Sequence, residues 1–267
     1  MDAFTRNRTD GYKPLFFIFC LFALCWIPLL LYAGGMTTSI KAGMAFLDWP
    51  LSNGSVNPAG WLTESDKMAE HSHRLLGMKI GLLSIGLFLW TYLRESRDWV
   101  RTLARVLLWV VILQGLLGGA RVRFDQLNIM SDHNLVAQSF AVIHACGAMV
   151  VLGILVTLTL ANTRRWIEAS EGLNVQQPVG VKRWGIIATV AIFLQILVGA
   201  IMRHADAGLA LVKFPMSTAT TWLPTYWNFD VSVHFAHRIG AILVTVILLV
   251  FLCKLWGSPT AKRALGF

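Results

Sequence analysis

The chain has 267 residues, 56% of them hydrophobic and only 14% charged, with a net charge of +9. Soluble domains carry about 25% charge, so the composition excludes an ordinary soluble enzyme and points to the lipid bilayer. The positive balance does not mark a nucleic-acid binder, because it is confined to particular loops between apolar runs.

Six stretches are long enough to span a bilayer, at about 20 residues each: 14–33, 74–93, 103–120, 136–161, 184–202 and 232–255. The first is a full-length apolar run without a clear small-residue cleavage site after it, so it is not a cleavable signal peptide. Arg6, Arg8 and Lys13 precede it. Arg94, Arg97, Arg101 and Arg105 lie between the second and third spans, and Arg164, Arg165, Lys182 and Arg183 between the fourth and fifth. The remaining loops are longer and carry Asp48, Glu64, Asp66, Asp125, Asp132, Asp206 and Asp230. The positive-inside rule then predicts a cytoplasmic N-terminus and long loops on the outer side. Cys20, Cys25, Cys146 and Cys253 all fall in apolar runs, where each is expected to be a small buried hydrophobe.

The even-numbered spans begin on the outer side and carry His73 and His237 within the first turn or two and His144 somewhat deeper, which predicts one layer of imidazoles in one leaflet. Glu70-His71-Ser72-His73-Arg74 returns as His234-Phe235-Ala236-His237-Arg238. Gly35 to His73 and Gly199 to His237 both span 38 residues, so the chain repeats itself with a spacing of 164. The repeat pairs Arg74 with Arg238 and sets Glu70 against His234. Gln114-Gly115-Leu116-Leu117-Gly118 is close to Gln195-Ile196-Leu197-Val198-Gly199. The second-half counterpart of His144 would fall beyond Phe267. The expected architecture is therefore an all-α integral membrane fold of six transmembrane helices. Residues 1–165 form a four-helix bundle, and 166–267 form the first two helices of a repeated second bundle. Lys262 to Phe267 reads as the approach to a seventh helix, which predicts that the protein continues; a six-helix chain is the alternative.

Ionisable residues within a membrane are costly to place and mark functional sites. Neutral imidazoles on two facing helices of a bundle can hold haem iron from both sides, and His73 with His144 supplies such a pair. Arg74 and Arg238 could pair with haem propionates through charge-assisted hydrogen bonds. Glu70, one turn before His73, is a candidate for proton transfer, or simply an acid favoured by the helix N-terminus. His144 could equally be interhelical hydrogen-bond glue. His71 points about 200° away from His73 and is expected at the interface. His133 and His204 are expected in loops, and His234 behind His237 or on a polar face. Asp48-Trp49-Pro50 could shape a lid or belong to an interfacial aromatic belt.

Taken together, Gly34-Gly35, Asp48-Trp49-Pro50-Leu51, Glu70-x-x-His73-Arg74-Leu75-Leu76-Gly77, Gln114-Gly115-x-Leu117-Gly118-Gly119 and His237-Arg238 resemble the haem A synthase family of cytochrome-oxidase assembly enzymes. The resemblance covers essentially the whole chain. It implies two similar four-helix bundles in a bacterial plasma membrane or mitochondrial inner membrane. One half would bind haem b, and the other would oxidise the ring methyl of haem O to the formyl of haem A. It implies Glu70, His73 and His144 as substrate-half residues, with Glu70 the catalytic acid, and His237 as a ligand of the cofactor haem. It also implies a haem O synthase as a partner. The loop 36–69 lacks the cysteine pair of some family members. A b-type membrane cytochrome for electron transfer and a non-catalytic haem-binding assembly protein are the competing readings; a carrier crossing the bilayer needs histidines at two depths, and these share one.

Overall fold

The computed structural model describes residues 11–126, 135–172 and 179–258. Helices α1 (Pro14–Ser39), α2 (Ser65–Arg94), α3 (Asp98–Gln126), α4 (Leu135–Ala161), α5 (Arg164–Gly172), α6 (Val179–His204) and α7 (Phe229–Trp256) follow in order, with a 3-10 turn at Ala207–Leu209. Pro14 opens α1, where its missing N–H costs no hydrogen bond. The Asn228 side chain caps α7 by accepting from the Val231 amide at 2.8 Å. Every helix except α5 is long and apolar enough to cross a membrane, and the protein is an all-α integral membrane protein.

Several boundaries depart from the expected spans: α1 runs on to Ser39, α3 extends from Asp98 to Gln126, and α6 starts at Val179. Helix α2 begins well before its apolar run, because the polar segment Ser65–Ser72 continues the same helix outward, and α7 begins at Phe229, slightly before the expected 232. Arg164 and Arg165, expected in a loop, open the short helix α5 instead. It buries Ile167, exposes Trp166, and pairs Arg164 with Glu168 at 2.6 Å. The cysteines also divide: Cys20 and Cys146 are buried as expected, whereas Cys25 and Cys253 lie on the exposed faces of their helices. An apolar outer face is what lipid requires, so a run of hydrophobic residues does not separate core from lipid-facing positions.

The described residues form two compact units. One contains α1, α2, α3, α5 as far as Glu171, and α4 apart from Ala141–Cys146; the other contains Ala141–Cys146 and Gly172 onward. In the first unit the large buried side chains gather at one end. Phe16, Cys20, Ala23 and Ile27 of α1 meet Ile80 and Leu87 of α2, Val100 and Leu107 of α3, and Leu155 and Leu158 of α4. Toward the end carrying His73, the buried helical apolar residues of this unit are smaller: Ala33, Ala69, Val122 and Ala137. The bundle is thus packed solid at one end and lined by short side chains at the other. In the second unit α6 packs along α7, where Gly185 admits the Phe251 ring.

A buried ion cluster closes the solid end. Glu95 follows α2 and is 2% exposed. Its carboxylate accepts from the Arg97 backbone at 3.0 Å and from the Arg97 guanidinium at 2.9 and 3.0 Å, with Lys13 at 3.7 Å. Arg97 in turn donates to the Ala161 carbonyl at 2.7 Å and to Asn162 at 2.6 Å, and Lys13 donates to the Arg94 carbonyl at 2.8 Å. Three chain segments around four helices are tied at one point. Burial alone would raise the Glu95 carboxyl, but the Arg97 hydrogen bonds and the Arg97 and Lys13 charges hold it below the usual range. Glu95→Ala is expected to destabilise the chain by about 2–3 kcal/mol, below the ~3–5 of a fully buried pair because Arg97 keeps some solvent access. Thermal unfolding in detergent measures this. Because the folded-state value is depressed, the contribution is complete above pH ~4.3 and is lost as pH falls through the depressed value. The gap between the parent and Glu95→Gln should therefore narrow on acidification.

Candidate functional site

The three histidines take nearly the same place in their helices: His73 is the ninth residue of α2, His237 the ninth of α7 and His144 the tenth of α4. At 1.5 Å per residue each lies about 12 Å along its helix. This is the third turn, deeper than the first turn or two expected of His73 and His237, because α2 and α7 start earlier than expected; His144 is expected somewhat deeper, and α4 starts close to its expected span.

Two of the imidazoles rest on glycine. A methyl group added at Gly34 of α1 would stand 2.9 Å from Cε1 and 3.2 Å from Nδ1 of His73. The same addition at Gly199 of α6 would stand 2.9 Å from Cε1 and 3.3 Å from Nδ1 of His237. Carbon atoms pack no closer than about 3.5 Å, so each ring occupies space that any side chain would fill. Gly35, by contrast, has open space where its side chain would be. The counterpart of Gly199 is therefore Gly34, one residue away from the Gly35 expected from constant spacing. Behind the second ring, the Gln195 amide nitrogen lies 3.0 Å from His237 Nδ1 and donates to the His237 carbonyl at 2.8 Å.

Above these seats each long loop is gripped by its helix. Arg74 donates to the carbonyls of Phe46 (3.1 Å), Asp48 (2.6 Å) and Leu51 (2.5 Å), and pairs with Glu70. Arg238 donates to the carbonyls of Leu211 (2.6 Å) and Met216 (3.2 Å). Glu70, 3% exposed, accepts from the Phe46 amide at 3.0 Å. Nδ1 of the buried His234 lies 3.3 Å from the Leu211 amide nitrogen and 3.1 Å from the Ala207 carbonyl oxygen. Phe46 pairs with Leu211, Leu51 with Met216, and cis Trp49-Pro50 with cis Phe214-Pro215. Each pair is one residue further apart than His73 and His237, so the second loop is one residue shorter between its proline and its helix.

The first loop carries more. Asp48 accepts from the amides of Asn53 and Gly54, both at 2.7 Å, where the backbone turns through positive φ. Burial pushes its carboxyl up, but these two amides and the Arg74 charge hold it below the usual range. The Trp49 ring lies on Gly119 of α3, where a methyl group would meet it at 2.6 Å.

Both candidate propionate partners, Arg74 and Arg238, thus hold loop carbonyls. Glu70 is neither a free interfacial charge nor a simple helix-start acid. His71, expected at the interface, is buried at 3% exposure, 2.9 Å from Ser52 Oγ and 3.2 Å from the Val56 carbonyl, with Trp61 edge-on. The loop folds back over the helix and covers it, which helix angle alone does not reveal. His204 closes α6 and is not in a loop; His133 lies outside the described residues. Sequence reading passed over Lys79, whose ammonium sits 3.3 Å over the Trp26 ring. A lysine inside a predicted span was the available signal.

The arrangement has known relatives. The chain is 31% identical over 245 residues to a heme A synthase of Shouchella clausii, covering 89% of this chain and 74% of that protein. It is 31% identical over 222 residues to a heme A synthase of Bacillus licheniformis, covering 80% and 67%. A heme A synthase of Symbiobacterium thermophilum is 29% identical over 243 residues, covering 88% and 71%. The COX15-CtaA family, described as "Cytochrome oxidase assembly protein", matches residues 17–266. On the strength of that match and of the repeated helix pairs it spans, this chain belongs to the COX15-CtaA family of cytochrome oxidase assembly proteins.

Proposed function

We propose that this chain is a heme A synthase, oxidising the ring methyl of haem O to the formyl of haem A. The observation that carries the reading is the repeated seat: His73 on Gly34 and His237 on Gly199. An imidazole backed by bare helix is held rigidly with no side chain behind it. Short residues such as Ala33 and Ala137 line the same end of the first bundle, which suits a flat, bulky ring. These features fit haem as a ligand. In this reading residues 1–165 handle substrate and 166–267 handle cofactor. His73 and His144 hold the haem O iron, and His237 holds haem b. When bound, haem b supplies an iron that can change oxidation state.

The remaining side chains then have definable work. Glu70 takes up a proton at Oε1 as the methyl is oxidised, exchanging its bond to Arg74 for that proton while Oε2 keeps the Phe46 amide. Arg74 and Arg238 hold the loops closed above the histidines, and a propionate would displace a loop carbonyl because a charge-assisted bond is the stronger one. The Trp49 ring on Gly119 excludes water from above. The basic residues Arg94, Arg97, Arg101 and Arg105 support, through the positive-inside rule, an N-terminus on the cytoplasmic side and histidines toward the outer leaflet. A haem O synthase would supply the substrate.

Glu70→Gln keeps the length and the acceptor for the Phe46 amide but removes the base. It should retain haem O and lower formyl production by about 10²-fold or more, read by extracting and chromatographing haems from cells that make haem O. Undiminished haem A would leave Glu70 a loop anchor only, and haem b alone from the parent would replace the synthase with a b-type cytochrome. Gly34→Ala should push the His73 ring aside and weaken haem O binding about tenfold, the equivalent of ~1.4 kcal/mol. Gly35→Ala, which meets nothing, should bind as the parent does. Equal binding by both variants would remove the seat from the site.

A further inference from the structure

Helices α6 and α7 meet through four residues that interlock. Gln195 and Gly199 are one turn apart on α6, and His237 and Gly240 are nearly one turn apart on α7. The His237 ring fills the place of a side chain at Gly199, and the Gln195 amide fills the place of one at Gly240, where a methyl group would stand 2.1 Å from Oε1. The amide nitrogen is 3.0 Å from Nδ1 and 2.8 Å from the His237 carbonyl oxygen. One ring nitrogen is therefore engaged by α6, and Nε2 is the nitrogen left to be presented elsewhere.

The same pieces recur between α3 and α4. A methyl group at Gly147, three residues after His144, would stand 1.9 Å from the Gln114 amide nitrogen. Gln114 precedes Gly118 as Gln195 precedes Gly199, and its Oε1 is buried without a hydrogen-bond partner among the described residues. Between α1 and α2 the corresponding position is Leu30, and Leu76 stands where the other two helices have glycine. The amide device is thus present behind His237, has counterparts in Gln114 and Gly147, and lacks its glutamine and glycine at Leu30 and Leu76.

We infer that Gln195 is a positioning residue for His237, holding Nδ1 so that Nε2 is the ligating nitrogen and adjusting that nitrogen's basicity. A neutral imidazole has one N–H. In the present arrangement the amide donates to Nδ1, which places the ring proton on Nε2. With Nε2 as the ligating nitrogen of a bound haem, the ring proton would sit on Nδ1, and the amide would have to offer its oxygen. A half-turn about the last side-chain torsion, which is broad and two-fold, accomplishes this; the His237 carbonyl gives up its amide donor. Gly240 leaves the room for the turn. An acceptor on Nδ1 makes the ligand more electron-rich and favours the oxidised iron.

This inference rests on the reading of His237 as a haem ligand, and the experiment separates the two. The whole chain is reconstituted with haem b in detergent and titrated optically against potential, as the parent and as Gln195→Leu, Gln195→Glu and His237→Ala. His237→Ala should lose the titrating component that His237 holds, as distinct from any haem at His73 and His144. Gln195→Leu should keep it with a more positive midpoint potential, and Gln195→Glu should keep it with a more negative one. Gln195→Met replaces the leucine variant if that fails to fold. Potentials equal to the parent, or shifted in one direction by both substitutions, overturn the role of Gln195 while His237 remains a ligand. An unchanged haem spectrum in His237→Ala overturns the ligand reading and this inference with it.

Discussion

The close approach of one helix backbone to an imidazole on the next is the constraint on which the rest depends. Helices in lipid gain nothing from burying apolar surface against one another, because the solvent is equally apolar, so contact has to come from close packing. Gly34 and Gly199 let the backbones of α1 and α6 reach the rings of His73 and His237. Everything above and below is arranged to keep that distance.

Below, in the first unit, large side chains fill the bundle and the Glu95–Arg97 cluster ties its end. Above, the loops are held by hydrogen bonds from the same helices that carry the histidines. Arg74 and Arg238 follow the histidines directly, while Glu70 and His234 precede them by about one turn. Each helix therefore presents its ring inward and anchors its loop with neighbouring residues, so that loop closure and ring position are set by one rigid element. Glu70 and His234 receive the same loop amide with different chemistry: a carboxylate paired with an arginine in one half, an imidazole in the other. The two halves therefore hold equivalent loop amides with side chains of different chemistry at the same helical position.

Much of this was legible in the sequence. Composition required membrane helices, since a chain with so few charges cannot satisfy water over its surface. Repetition of the His-Arg pair at a fixed spacing after a glycine identified the two equivalent helices. The partner of His237 within its hairpin was partly legible too, as Gln195 belongs to a segment that resembles the one around Gln114. His71 was misjudged because its environment comes from Ser52, Val56 and Trp61, 10 to 19 residues upstream in a loop without regular pattern. Cys25 and Cys253 were misjudged because lipid-facing and core positions are equally apolar.

The sequence by itself determined that this is an all-α membrane protein with a repeated histidine-bearing helix pair, since hydrophobic length and recurring spacing are local and additive properties. The tertiary structure alone decided which glycine seats which ring, that Arg74, Arg238 and Glu70 clasp loops, and that an amide stands behind His237. Those facts depend on helix register. A shift of one residue turns a helix by about 100°, and constant spacing chose Gly35 where close packing selects Gly34.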